Sequence, residues 1–183
     1  HQIALNLIPQ IDVFMDNDFT KEEMKMVNET KKILHKEVEV CATCVRVPIL
    51  RGHSESLSMT FDSAVNAAEA RGLLEKAPNI VVQDIPKESI YPMPAACVDQ
   101  NETFVGRIRN DLYRDNMLHL WVVADNLRVA ICQVINGRNV SLRYDQRVGR
   151  RLRVDVTKCD HVIALENHVG GYVAGTDLAE ETV

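Results

Sequence analysis

The sequence lacks the features of a membrane or exported protein. No apolar run approaches the roughly 20 residues that a membrane-spanning helix needs. The chain does not open on a basic segment followed by an apolar stretch, which is the pattern of a secretory signal. Its 46% hydrophobic and 26% charged residues are typical of a globular protein. We therefore expect a cytoplasmic chain with no membrane partner.

An excess of basic residues is also missing. The chain has 21 Lys and Arg against 26 Asp and Glu, which gives a formal net charge of -5 at pH 7. Proteins that follow the phosphates of nucleic acids usually carry the opposite imbalance. We therefore expect no nucleic-acid partner.

The cysteines and glycines are too few and too scattered for two common kinds of site. The five cysteines are an odd number, and we expect them to be reduced. Cys41 and Cys44 form a C-x-x-C, but no second pair and no nearby His lies at ligand spacing, so we expect no metal. No glycine-rich turn follows a first strand, as a dinucleotide fingerprint requires. Neither a metal nor a complete nucleotide site is therefore expected.

What the sequence does contain is an arginine and a histidine in one strand-like run, Arg46 and His53. On an unbroken strand their odd separation would send the two side chains to opposite faces, roughly 23 Å apart. Pro48 and Gly52 favour a bend between them, which would allow both groups to reach one cleft. The spacing leaves a second interpretation open, in which Arg46 is a surface or salt-bridged strand residue and His53 a hydrogen-bonded turn histidine.

Periodicity predicts a helix first and then mostly strands. Thr20 and Glu23 form a capping box that starts a helix over residues 21–36, with Met24, Val27, Lys31 and Leu34 on its inner stripe. A strand over 38–47 is expected to pair with a strand over 56–61. Further predictions are a helix from Ser63 to Lys76, strands at 79–84, 104–109, 118–124, 139–145 and 152–156, and an extended loop at 86–100. We therefore predict the α+β class.

Several motifs in order resemble the aspartate-β-semialdehyde dehydrogenase family. The first is Cys-Val-Arg-Val, four residues and Gly-His-Ser over 44–54. The others are Asn-Leu-Ile-Pro-Gln-Ile-Asp at 6–12, Glu-Glu-Met-Lys at 22–25, Glu-Thr-Lys-Lys-Ile-Leu at 29–34, Tyr-Pro-Met-Pro at 91–94, Val-Gly-Arg-Ile-Arg at 105–109 and Leu-Trp-Val-Val-Ala-Asp-Asn-Leu-Arg at 120–128. The resemblance covers roughly residues 3–128 and stops there.

The resemblance implies roles for individual residues. It places Glu22 on the substrate ammonium group, Lys25 on phosphate and Arg46 on the substrate carboxylate. It makes His53 the catalytic acid and base, and assigns Asn126 a minor contact to the cofactor, NADP. Lysine, threonine and methionine biosynthesis is the implied pathway, with aspartyl phosphate and aspartate semialdehyde as reactants.

The implied fold is a mixed, largely antiparallel sheet with helices packed on one face, as in the C-terminal domain of glyceraldehyde-3-phosphate dehydrogenase. Residues 1–128 would form this dimerisation and substrate-binding domain, and 129–183 a divergent or unrelated tail. In the family the domain forms the subunit interface, so a homodimer or homotetramer is expected.

The sequence also departs from the family in ways that limit its expected activity. It begins at His1, already within the family pattern, so we expect a fragment. The Asn-Cys nucleophile motif and the nucleotide domain are missing, and Cys44 is expected to be buried and inert. The chain alone is therefore predicted to be inactive. The alternative is a non-catalytic dimerisation or binding module, whereas a related acyl-phosphate reductase of arginine synthesis fits the residue set less well.

Overall fold

The computed structural model describes residues 1–128 and 163–165. The predicted strands at 139–145 and 152–156, and most of the predicted tail, lie outside these residues. The helices are α1 (Lys21–Leu34), α2 (Ala67–Leu74) and α3 (Pro94–Cys97), with a 3-10 turn at Pro86–Glu88. The strands are β1 (Thr43–Val45), β2 (His53–Thr60), β3 (Ile80–Val82), β4 (Thr103–Asn110), β5 (Met117–Ala124) and β6 (Ile163–Leu165).

The described strands form one mixed sheet in the order β1-β6-β2-β5-β4-β3. β2 runs antiparallel to β5 and β6, and β4 runs antiparallel to β5, whereas the outer pairs β1/β6 and β3/β4 are parallel. Leu57, Val105 and Val122 lie in a buried cluster on one face, against Leu34 of α1 and Leu74 of α2. The α+β class and the largely antiparallel sheet are therefore confirmed.

The capping box at the start of α1 is confirmed. The Thr20 side chain accepts the Glu23 N–H, and the Glu23 carboxylate accepts the Thr20 N–H at 2.7 Å. The helix ends at Leu34 rather than at residue 36 because His35 adopts a left-handed conformation with φ 51°. The predicted inner stripe is only half-buried, since the fully buried side chains of α1 belong to Glu23 and Thr30.

The first two predicted strands need correction. The apolar run at 38–47 pairs as a strand only over Thr43–Val45, and β2 begins at His53 rather than at residue 56. β1 and β2 do not pair with each other because β6 lies between them. Val38 is nevertheless buried, because its side chain belongs to the main core without taking part in a strand.

The start of α2 also differs from the prediction. The N-cap is Asn66, whose side chain accepts the Ala68 N–H at 2.7 Å, rather than Ser63. The carboxamide of Asn110 fixes this start, since its oxygen accepts the Ala67 N–H at 3.0 Å and its nitrogen donates to the Val65 carbonyl at 2.8 Å. The helix consequently turns Ala67 and Leu74 towards the core, and Ala68 is exposed.

The segment at 86–100 is not an extended loop throughout, because it contains the 3-10 turn and α3. α3 lies against the face of the sheet opposite to α1 and α2, where Cys97 packs with Phe104 and Val123. Tyr91 and Met93 of this segment are 38% and 51% exposed. Pro92 anchors it to the sheet, since its carbonyl accepts the indole N–H of Trp121 at 2.9 Å.

Asp84 holds an irregularity in β4, where the pairing register shifts between Gly106 and Arg109. Its fully buried carboxylate accepts the backbone N–H groups of Arg107 and Ile108 at 2.8 and 3.1 Å and pairs with the Arg71 guanidinium of α2. This ion pair therefore fastens α2 to the β3 and β4 edge of the sheet. The helices within residues 1–128 are all too short or too polar to span a lipid bilayer.

Candidate functional site

The start of α1 brings a carboxylate and an ammonium group together. Lys25 Nζ lies 3.2 Å from Glu22 Oε1, and the side chain of Lys25 is 53% exposed against 16% for Glu22. Their three-residue spacing keeps both head groups on one side of the helix. A ligand with a cationic and an anionic group could therefore meet both side chains at once.

Glu23 ties this turn to the strand that leads to Arg46. Its Oε1 accepts the Cys44 N–H at 2.9 Å, while its Oε2 serves the capping box. Glu23 is only 6% exposed, so this is a buried link between α1 and β1. Glu22 and Lys25 consequently stand beside a strand that ends one residue before Arg46.

Arg46 and His53 lie at the same end of the sheet. Val45 and Ser54 both pair with Leu165, one from each side. Arg46 follows Val45 and His53 precedes Ser54, so two strand spacings, about 10 Å, separate their backbones. Both side chains are half-buried. The strand register therefore places the two residues at one end of the sheet, and their convergence on one cleft stays a prediction.

The chain bends between them, as the sequence predicts. Gly52 has φ +101°, a conformation that residues with a side chain rarely adopt. Its N–H donates to the Asn126 side-chain oxygen at 3.1 Å, and His53 pairs with Ala124 at the end of β5. Asn126 therefore lies beside the turn before His53, and its carboxamide oxygen holds that turn.

Arg51 and Asp125 complete this end of the sheet, and neither was singled out from the sequence. Arg51 Nε and Nη2 lie 3.2 and 2.6 Å from the two carboxylate oxygens of Asp125. The hydrogen bond with Asp125 raises the pKa of Arg51. Burial alone would raise the pKa of Asp125, but the N–H groups of Leu127 and Asp99 and the Arg51 guanidinium hold it below its usual value. The available signal was the position of Arg51 inside the same motif as Arg46 and His53.

The cysteines of this region do not supply an exposed nucleophile next to Arg46. Cys44 is fully buried, and its sulfur lies 3.6 Å from the Met26 sulfur. Cys97 is also fully buried, and burial raises the pKa of its thiol, whereas Cys41 is exposed. Across residues 1–128, no three His, Cys, Asp or Glu side chains come together in a group that could hold a metal ion.

A cavity of about 430 Å³ lies elsewhere. It opens among Tyr91, Met93, Arg107, Arg109 and Trp121, around the side of the sheet that α3 contacts. Glu22, Lys25, Arg46, His53 and Asn126 do not line it. We therefore separate this cavity from the group of residues at the β1 and β2 end of the sheet.

The described residues thus form an α+β domain, with Arg46 and His53 at one end of its mixed sheet and the Glu22–Lys25 pair on the helix that is tied to β1. The family model described as semialdehyde dehydrogenase, dimerisation domain, matches residues 1–129. The chain therefore belongs to the semialdehyde dehydrogenase family through this domain.

Individual relatives agree with the family match. An aspartate-semialdehyde dehydrogenase of Campylobacter jejuni is 61% identical over 129 residues, which are 70% of this chain and 38% of the relative. Two solved structures are also similar. Aspartate semialdehyde dehydrogenase II from Vibrio cholerae, complexed with ASA, has TM-score 0.67 and 38% identity over 79% of this chain and 43% of that one. The Candida albicans enzyme with NADP has TM-score 0.56 and 25% identity over 76% and 46% of the two chains. The chain thus spans about two fifths of the length of these relatives.

Proposed function

We propose that this chain is the substrate-binding and dimerisation domain of an NADP-dependent aspartate-semialdehyde dehydrogenase, acting in the cytoplasm on the route to lysine, threonine and methionine. One observation carries the proposal. The first turn of α1, which carries the Glu22–Lys25 pair, is tied through Glu23 to the Cys44 N–H of β1, two residues before Arg46, and Arg46 and His53 lie at the same end of the sheet. A small molecule with ammonium, carboxylate and phosphate chemistry requires such a set.

Each side chain suits one part of that molecule. Arg46 presents a planar fork of donors that can hold the α-carboxylate through two parallel hydrogen bonds. Glu22 can receive the ammonium group, and Lys25 can hold inorganic phosphate or the phosphate of an acyl phosphate. In the free protein Glu22 and Lys25 form an ion pair with each other. Ligand binding would replace this pair by two, Glu22 with the ammonium group and Lys25 with the phosphate.

His53 is the proposed acid and base. An imidazole titrates near neutral pH, and it can carry a proton between a thiol nucleophile and the oxygen of the substrate aldehyde. General acid and base catalysis of this kind speeds a reaction by about 10² to 10⁴. The thiol itself is assigned to a part of the enzyme outside residues 1–128, because Cys44 and Cys97 are buried and the exposed Cys41 does not stand in an Asn-Cys motif.

The cofactor is likewise assigned mainly to another part of the enzyme. When bound, NADP supplies the hydride acceptor. Residues 1–128 contain three glycines, Gly52, Gly72 and Gly106, too widely spaced to form a glycine-rich phosphate loop. The carboxamide oxygen of Asn126 accepts the Gly52 N–H, so in the described residues it holds the turn before His53. The residues described here do not by themselves fit a nucleotide-binding site.

A homodimer or homotetramer is part of the proposal. Tyr91 and Met93 are 38% and 51% exposed beside Trp121, on the side of the sheet that α1 and α2 leave uncovered. Aromatic residues and methionine are enriched at the centres of protein interfaces. The same surface supports the second candidate, a module that dimerises without binding substrate.

Isothermal titration calorimetry on the 183-residue chain separates the two candidates. The enzyme domain is expected to bind aspartate semialdehyde and, separately, phosphate. Arg46→Lys should weaken semialdehyde binding by about 10-fold or more, because lysine keeps the charge but loses the fork. Arg114→Lys, in the loop before β5, is the matched control and should change nothing. A chain that dimerises in sedimentation runs but binds neither compound would favour the non-catalytic module.

A further inference from the structure

Arg51 makes a bidentate contact with the buried carboxylate of Asp125. Its Nε and Nη2 donate to the two oxygens of Asp125, and Asp125 has no exposed side-chain surface. A third nitrogen, Nη1, lies 2.9 Å from Asp99 Oδ1. Bidentate pairs of this kind fix orientation as well as charge, because the guanidinium and the carboxylate must share a plane.

Asp125 collects further hydrogen bonds from two segments. Its oxygens accept the backbone N–H of Asp99 at 2.6 Å, in the loop after α3, and that of Leu127 at 2.8 Å, just past β5. Arg51 thereby fastens the turn before β2 to two other parts of the chain. Shortening the Arg51 side chain would leave a buried charge with fewer partners, which structures tolerate poorly.

This network ends at His53. Residues 51–53 contact residues 124–126, which follow one another at the end of β5. His53 pairs with Ala124 in the sheet, the Gly52 N–H donates to Asn126, and the Arg51 guanidinium binds Asp125. Gly52, with φ +101°, is the residue at which this segment turns into the regular strand β2. The backbone that carries the imidazole is thus held at the residue itself and at the two residues before it.

We propose that Arg51, acting through Asp125, is the positioning residue for His53 in the reaction. This inference rests on the proposed function, and it goes beyond it by naming a residue that touches no substrate. A displacement of about 1 Å at a catalytic group can lower the rate by about 10²-fold. The Arg51–Asp125 contact is therefore required for turnover rather than for substrate binding.

The chain offers a closely matched control in Arg71. The side chains of Arg51 and Arg71 are 30% and 33% exposed, and each is paired with a fully buried aspartate, Asp125 and Asp84 respectively. Arg71 fastens α2 to the bulge of β4 through one nitrogen, Nη2, which reaches Asp84 and the Ile108 carbonyl. It therefore matches Arg51 in charge, exposure and a buried aspartate partner, but it is not beside His53. Arg51→Lys and Arg71→Lys both keep the charge and both lose the planar guanidinium.

The test is steady-state kinetics of both variants in the complete enzyme that contains this domain. We expect Arg51→Lys to lower kcat by about 10- to 100-fold while KM for aspartate semialdehyde stays within about two-fold, and Arg71→Lys to change neither. Equal losses of kcat in the two variants, an unchanged kcat in Arg51→Lys, or a change confined to KM would each overturn the inference.

Two controls keep the outcome interpretable. If the unmodified enzyme shows no phosphate-dependent oxidation of aspartate semialdehyde, or if His53→Ala retains full activity, the proposed function fails whatever Arg51 does. An active enzyme that loses activity in His53→Ala but not in Arg51→Lys leaves the proposed function standing and removes only the positioning role. Circular dichroism of both arginine variants confirms that they remain folded.

Discussion

Glu23 Oε1 accepts the backbone N–H of Cys44 at 2.9 Å, which joins the first turn of α1 to β1 across 21 residues of sequence. The same carboxylate closes the capping box through Thr20. One buried side chain therefore starts the helix that carries Glu22 and Lys25 and sets its place beside the strand that leads to Arg46. The relative position of the proposed ammonium, phosphate and carboxylate sites depends on this contact.

Glu23→Ala should therefore destabilise the fold. The variant loses the capping box and leaves the buried Cys44 N–H without its acceptor, at a cost of about 1–3 kcal/mol in the free energy of unfolding. Urea denaturation followed by circular dichroism measures it. Glu29→Ala, on the same helix, is the control and should cost no more than a few tenths of a kcal/mol, about the size of a surface effect. Equal losses in the two variants would show that the Glu23 link is not important.

The start of α1 could be predicted because its signals are local. Thr20 and Glu23 lie three residues apart, and both halves of the capping box are visible in the sequence. The choice of Asn66 over Ser63 as the cap of α2 was not predictable, since both are good capping residues. Asn110, more than 40 residues away, decides between them through its bonds to Ala67 and Val65.

The extent of β1 also depends on distant sequence. The apolar run at 38–47 is typical of a buried strand, but its strand pairing is limited to the three residues that face β6, beyond which only Arg46 forms an isolated bridge, to Ile8. Nothing near Thr43 indicates a partner at Ile163, which is 120 residues further along the chain. A strand that lacks a long partner stays short, and its neighbours pack as coil.

In the candidate site, too, some residues could be predicted from local sequence and others depend on distant contacts. A motif read from the sequence indicated Arg46 and His53, and the bend between them followed from Pro48 and Gly52. The Arg51–Asp125 contact spans 74 residues and leaves no local pattern, because an arginine in a turn is usually a solvated surface residue. Its importance emerges only when the end of β5 is placed against the start of β2.

Replacing two glycines by alanine should change the free energy of unfolding in opposite directions. At Gly52 the added Cβ would meet the Ala124 carbonyl oxygen at 3.4 Å and the Pro94 Cβ at 3.5 Å, and φ +101° is strained for alanine. We expect Gly52→Ala to lower the free energy of unfolding by about 1–3 kcal/mol. Gly72 lies within α2 with open space around it, so Gly72→Ala should raise it by about 0.5–1 kcal/mol. Thermal unfolding of both variants, side by side, tests the conformation assigned to the turn before His53; a neutral Gly52→Ala would contradict it.

Acid should weaken a second network, which joins β2, β5 and the loop between β4 and β5. Ser58 Oγ lies 2.8 Å from His119 Nδ1, and His119 Nε2 lies 2.8 Å from Asp111 Oδ2. The hydrogen bond from His119, with the N–H groups of Tyr113 and Arg114, lowers the pKa of Asp111 from 3.8 to about 2. Because the folded pKa lies below the unfolded one, the stabilisation is complete above pH 3.8 and is lost as the pH falls towards 2.

Asp111→Asn should consequently flatten the loss of stability over that range of pH. Denaturant unfolding at several pH values from neutral down to about 2 measures the slope. Asp115→Asn, in the same loop, serves as the comparison and should keep the slope of the unmodified chain. A slope in Asp111→Asn as steep as that of Asp115→Asn would rule out the Asp111–His119 contact as its source.

Lys25→Ala should separate stability from binding. The Lys25–Glu22 pair is solvent-exposed on the lysine side, so its loss should cost no more than about 0.5 kcal/mol. Phosphate binding should nevertheless disappear from calorimetric titrations, because the proposed phosphate ligand is gone. Lys31→Ala removes a similar exposed pair with Glu37 at 3.0 Å and should leave phosphate binding intact. Phosphate binding that survives Lys25→Ala would place the anion elsewhere.

Nuclear magnetic resonance titration of the 183-residue chain with aspartate semialdehyde tests whether Glu22, Lys25, Arg46 and His53 meet one ligand at the β1 and β2 end of the sheet. We expect the signals of all four residues to shift with a single common dissociation constant, while those of Tyr91, Arg107 and Trp121 around the cavity stay in place. Shifts confined to the cavity residues, with the four signals unchanged, would contradict it.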